Sequence, residues 1–97
     1  MNISKVSDIT INDLIEYIRL GEVTSDEENT LNTLLTVSKA FIKAYTGQED
    51  LDEIEDFVIC VLILCQDMWD NRTLYVDSTN LNKVIETILG LHSINLL

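Results

Sequence analysis

The sequence contains no proline, three glycines, one tryptophan and one histidine, and it sets 6 Lys plus Arg against 17 Asp plus Glu. Each shortage excludes something. Without proline, nothing in the chain forces a helix to kink or a turn to adopt a cis bond. Three isolated glycines cannot build a phosphate-cradling loop. Six scattered basic residues cannot form the positive stripe that grips a nucleic-acid backbone. The net charge of -11 likewise disfavours anionic membranes. The longest apolar run, Phe57 to Cys65, is nine residues, about half of the roughly 20 that a membrane span requires. The first residues, MNISKVSD, carry no apolar segment followed by a cleavage site, so a secretory signal is not expected. The sequon Asn71-Arg72-Thr73 is accordingly read as chance.

What is present is a core. At 97 residues and 46% apolar, the chain is too hydrophobic for an acidic disordered tail and long enough for one domain, residues 1–97. Cys60 and Cys65 stand five apart. On a helix they would lie about 140° apart around the axis, which makes buried free thiols in a reducing compartment the expectation rather than a bridge.

Helical periodicity organises the chain. Thr10 with Asp13 is a weak capping box, Ile11, Leu14, Ile15 and Ile18 repeat at helical spacing, and Gly21 closes the element. Ser25 with Glu28 forms a second box. Leu31, Leu34, Leu35, Ser38, Phe41, Ile42 and Tyr45 trace one face of a helix of about 20 residues stopped by Thr46-Gly47. The third helix follows the acids of residues 49–56, with Asp50 or Asp52 as its cap. Its inward face is Ile54, Phe57, Val58, Val61, Leu62, Cys65, Met68 and Trp69, while Ile59, Ile63 and Leu64 make it apolar nearly all round. Such a helix is central to the domain or is covered by another subunit. A buried strand is the alternative for residues 57–65; continuation through Gln66 to Trp69 without a turn signal favours helix. Asn71-Arg72 is the exit turn, Thr73 to Val76 a short extended piece, and residues 77–80 hold several potential caps. Leu81, Val84, Ile85, Ile88 and Leu89 mark the last helix, ended by Gly90, and Leu91 to Leu97 form an apolar tail. The expected fold is all-α: a compact bundle of four main helices, a short extended segment before the last, and a tail that docks on its own core or on a partner.

No catalytic constellation emerges, and no cofactor or metal is implied. His92 has no acid or cysteine near it in sequence, so a surface or packing role is expected. Asp67 and Asp70 share a helical face, read as a solvated stripe. The acids of residues 49–56 lack the ligand order and central glycine of a calcium loop, and no serine sits in a nucleophile elbow. Trp69 and Tyr75 flank Asn71-Arg72. Trp69 serves as a core residue or as an interface anchor, and the two roles are compatible, because Trp, Tyr and Arg dominate protein contacts.

In order and spacing the elements from about residue 8 to 97 resemble the small helical head-tail connector proteins of tailed phages and prophages, also known as possible DNA-packaging proteins. The likeness rests on a short first helix, a long second one closing Ala40-Phe-Ile-Lys-Ala-Tyr-Thr-Gly47, an apolar third one closing Met68-Trp69-Asp70-Asn71-Arg72, and the final Leu81 to Gly90 helix. The resemblance implies a non-enzymatic adaptor at the virion head-tail junction, made in the bacterial host cytoplasm. Such proteins form a ring of about a dozen copies between the portal protein and a head-completion or tail protein, and DNA passes through without specific binding. Outside the particle the isolated chain can be a monomer. Trp69, Arg72 and Tyr75 are then candidates for a subunit or partner interface, as are Leu91, Ile94, Leu96 and Leu97 of a tail more apolar than in many relatives. Asp50, Asp52, Glu53, Glu55 and Asp56 are candidates to face the channel, where repulsion keeps DNA from sticking. Self-repulsion of acidic subunits would make assembly favour higher salt or a portal template. The rival is an acidic phage-encoded regulator or inhibitor that binds a basic partner protein. The charge is uneven: residues 1–48 hold 7 acids and 4 bases, net -3, and residues 49–97 hold 10 and 2, net -8.

Overall fold

A computed structural model describes residues 3–94. Its helices are α1 (Ile11–Ile18), α2 (Ser25–Thr46), α3 (Asp56–Asn71) and α4 (Lys83–Leu91), with single 3-10 turns at Val6–Asp8, Leu51–Glu53 and Ser78–Asn80. The architecture is all-α. Among the described residues there is no strand: Thr73 to Val76 forms an irregular connector, and residues 57–65 are helical.

Local chemistry explains the boundaries. At α1 the Thr10 hydroxyl accepts from the Asp13 N–H at 3.3 Å and the Asp13 carboxylate accepts from the Thr10 N–H at 2.8 Å, a reciprocal box. The second box belongs to Thr24 and Glu27, one residue before the expected Ser25 and Glu28, with bonds of 2.9 and 3.2 Å. Thr24→Ala is expected to lower stability by about 1 kcal/mol, read as a shift in the urea midpoint, whereas Ser25→Ala should leave it nearly unchanged. Gly47 ends α2 in the left-handed region at φ 77°, as its position suggests. At α1, however, the left-handed residue that ends the helix is Arg19, at φ 64°, not Gly21, and at α3 it is Arg72, at φ 57°. Gly90 does not stop α4: it lies within it, one residue before the end. Asn82 caps α4 by accepting from the Val84 N–H at 2.8 Å, while Asp77 caps only the preceding 3-10 turn.

The acidic stretch divides in two. Asp50 caps the turn Leu51–Glu53, accepting from the Asp52 N–H at 3.0 Å, and α3 starts later, after Glu55, without a side-chain cap. Leu51 is buried beneath that turn. Burying Leu51 and half-burying Ile54 breaks the run that would otherwise read as one helix start.

α3 is the central element. It packs against α1, α2, α4 and the first 3-10 turn. Phe57, Val58, Cys60, Val61, Leu62, Leu64, Cys65 and Met68 are all buried, and among its apolar side chains only Ile59 is exposed, at 38%. The chain thus covers its own greasiest helix, and the alternative that a second subunit must do so falls away. α2 runs antiparallel to it: Glu27, Thr30 and Leu34 share a groove with Met68, Trp69 and Arg72. α4 is antiparallel too, since His92 at its end meets Asp56 at the start of α3. On α2, Ser38 and Thr46 are buried polar residues satisfied by the carbonyls of Leu35 and Ile42. Tyr45 departs from the expected inward face. It is 43% exposed and rests against the Phe41 ring at 5.7 Å.

Candidate functional site

The two ends of α3 carry the exposed features of the molecule. Its C-terminal end closes as a Schellman motif: the Thr73 N–H donates to the Met68 carbonyl at 3.0 Å and the Arg72 N–H to the Trp69 carbonyl at 3.2 Å. Arginine occupies the left-handed position that glycine usually fills. A cation is favourable at a helix C-terminus, and the guanidinium lies 5.8 Å from the centre of the half-buried Trp69 ring, within cation–π range. Asn71 donates its side-chain amide to the Asp67 carbonyl at 2.8 Å. Beyond the turn, Leu74 and Tyr75 stand exposed. Trp69, Arg72 and Tyr75 therefore do share one corner, and Leu74 joins them. Sequence reasoning passed over Leu74, although its place in the same connector as Tyr75 was the available signal.

Leu91 and Ile94 lie at the opposite end. Ile94 donates its backbone N–H to the Thr46 carbonyl at 2.7 Å, and its side chain faces Gly47, where an added Cβ would sit 3.5 Å from the Ile94 Cβ. The Gln48 amide donates to the His92 carbonyl at 2.8 Å. As far as Ile94, then, the tail docks on its own chain. Leu91 stays 75% exposed and Ile94 46% exposed. On α4, Val84 and Leu91 are exposed on the face that also carries the half-buried Ile88. Leu96 and Leu97 lie outside the described residues.

His92 has a partner that no local pattern announces. Its Nε2 is 3.2 Å from the Asp56 carboxylate, 36 residues away in sequence, and its ring meets Phe57 edge-on at 5.5 Å. Among the described residues no Lys or Arg side chain lies within 4 Å of a carboxylate, and this imidazole–carboxylate contact is the one of its kind.

Three of the five candidate channel acids have work within the fold. Asp50 caps a turn and Asp56 holds His92. Asp52 accepts from the Ser7 hydroxyl at 2.6 Å and from its backbone N–H at 2.9 Å. Those two bonds, the hydroxyl's first, hold its carboxyl below the usual range. Glu53 and Glu55 are exposed, with no side-chain partner among the described residues. Asp67 and Asp70 sit close enough to interact: burial, and then the Asp70 charge, raises the Asp67 carboxyl. No group of three or more His, Cys, Asp or Glu side chains converges among the described residues, and no helix there is long and apolar enough to cross a membrane.

No family model, curated protein or solved structure matches the chain.

Proposed function

We propose that the chain is a structural adaptor of a tailed phage or prophage, assembling between the portal and a tail or head-completion protein around the DNA channel. Beside the order of elements described above, one observation carries this reading. Exposed apolar residues gather at both ends of α3: Leu74 and Tyr75 beside Arg72 at one end, Leu91 and Ile94 at the other. A closed ring needs a heterologous contact in which two different patches of one subunit meet those of its neighbours, and a subunit with a patch at each end of its central helix suits that demand. The free carboxylates of Glu53 and Glu55 fit a wall that repels passing DNA. Asp50, Asp52 and Asp56 fit it less well, because their carboxylates already bind within the chain.

Native mass spectrometry of the chain with and without the portal protein of the same phage genome tests the reading. The expected result is a multi-copy assembly that depends on the portal or forms as salt rises. A chain that ignores the portal and competes with DNA for a basic protein would overturn it in favour of the acidic inhibitor.

A further inference from the structure

Two surface grooves meet at the end of α3 and share a wall. The larger, of about 310 Å³, is lined by Leu64, Met68, Val76 and Leu81, with the carboxylates of Asp67 and Asp77 beside them. The smaller, of about 210 Å³, lies among Leu34, Met68, Trp69 and Leu74, with Arg72 beside it. Met68 and Thr73 line both, Leu74 belongs to the smaller and Tyr75 to the larger. The connector therefore rises between the grooves as a ridge, its two side chains exposed at 58% and 64%. One flank carries Arg72, which pairs with no carboxylate among the described residues, and beside it Glu27, whose carboxylate accepts from the Thr24 N–H; the other flank carries Asp67 and Asp77 and no cation.

We propose that this corner pairs two copies of the chain about a two-fold axis through the Leu74–Tyr75 ridge, setting Arg72 of each copy against the partner's Asp67. In a two-fold contact residue i meets residue j while j meets i. A patch can therefore dock on a copy of itself only if its flanks are complementary across the axis. Here an unpaired guanidinium stands on one flank, carboxylates without a cation stand on the other, and the axis is apolar. On a chain of net charge -11, most other self-contacts would set acid against acid. Arg72 is one of only two cations in residues 49–97, the other being Lys83, and Trp, Tyr and Arg are the side chains on which protein contacts most depend. Burial and then the Asp70 charge raise the Asp67 carboxyl, and an incoming guanidinium opposes that rise.

The pairing concerns the free chain and does not rest on the connector reading. A ring contact made through the same corner would exclude it, so the dimer is the form before assembly. Sedimentation equilibrium of the full chain, from micromolar to submillimolar concentration, is expected to show a monomer–dimer equilibrium. Arg72→Gly suits the backbone and removes the charge. It should raise the dimer dissociation constant by at least about tenfold while the far-UV circular dichroism spectrum is retained. Arg72→Asp and Asp67→Arg should each do the same, and the double exchange should restore the dimer. A wild-type chain that stays monomeric throughout, or Arg72→Gly protein that dimerises as well as wild type, overturns the proposal. A double exchange no tighter than the single variants overturns the Arg72–Asp67 pairing. A portal-dependent assembly from a chain that never dimerises would sink this proposal and leave the adaptor reading standing.

Discussion

Phe57→Ala is expected to lower the free energy of unfolding by about 3–5 kcal/mol, the range for truncating an aromatic ring in a core. Phe57 is fully buried in the first turn of α3, the helix that every other helix of the bundle touches. Its neighbours cannot collapse into the space without moving α3 itself, so the cavity persists. The ring also carries the edge-on contact to His92 at 5.5 Å. Its loss unseats the residue through which the end of α4 meets Asp56, and Gln48, which holds the His92 carbonyl, follows. Domains of this size have only about 5–15 kcal/mol in total, so the variant should be partly unfolded at 37 °C. The urea midpoint reads the change, with Ile59→Ala as the control: Ile59 is on the same helix but 38% exposed, and its truncation should cost less than about 1 kcal/mol. Equal losses for the two variants would mean that the start of α3 is not the closed core described above.

The contrast between those two side chains shows what periodicity conveys. Residues 57–65 are apolar almost without interruption, so the sequence pattern does not say which positions face solvent. Only the placement of α1, α2 and α4 around α3 leaves Ile59 outside and Leu64 inside. The starts of α1 and α2 were legible to within a residue. Thr24 with Glu27 and Ser25 with Glu28 have the same spacing and chemistry, and a shift of one residue leaves the inward face Leu31, Leu34, Leu35, Ser38 and Ile42 unaltered. Helix ends were legible at Gly47 and at the Asn71-Arg72 turn, and not at α1, where Arg19 takes the left-handed conformation two residues before Gly21. The acids of residues 49–56 were misassigned as one helix start because their roles are tertiary. Ser7, 45 residues away, draws Asp52 toward the first turn, and His92 draws Asp56 toward the last. Of the candidate site, the corner around Trp69 and Arg72 could be read because its members are neighbours in sequence. The separation of that corner from Leu91 and Ile94 could not, since it follows from α3 and α4 running antiparallel.

The thiols give the second large effect, and it is kinetic at neutral pH. Cys60 and Cys65 are fully buried and unbridged. Burial, with the Asp56 charge adding to it, pushes the Cys60 thiol up to about 12. Burial also pushes Cys65 up to about 11, a rise that its contact with the Ser38 hydroxyl and the Lys39 charge reduce. The thiolate is the nucleophile, and its population falls tenfold for each unit by which the pKa rises. Reaction with Ellman's reagent near pH 8 should therefore be slower than for a free cysteine by about a thousandfold at Cys60 and a hundredfold at Cys65, before access is counted. Both should react at the ordinary rate once urea unfolds the chain. Stability carries the same signature. A thiol raised by folding is neutral in both states below about pH 9, so it adds no pH dependence there. Between about 9 and 11–12 the unfolded chain loses protons that the folded one keeps, and stability falls as pH rises, with a limiting slope of two protons for the two groups. The measurement is a difference, which cancels whatever the two proteins share: urea midpoints of wild type and of Cys60→Ala/Cys65→Ala from pH 8 to 11. The double variant starts lower, because it loses two buried sulfurs, and then declines less steeply, so the two curves converge as pH rises. Parallel curves would show that the thiols titrate alike in both states, which is incompatible with two thiols closed inside α3's core.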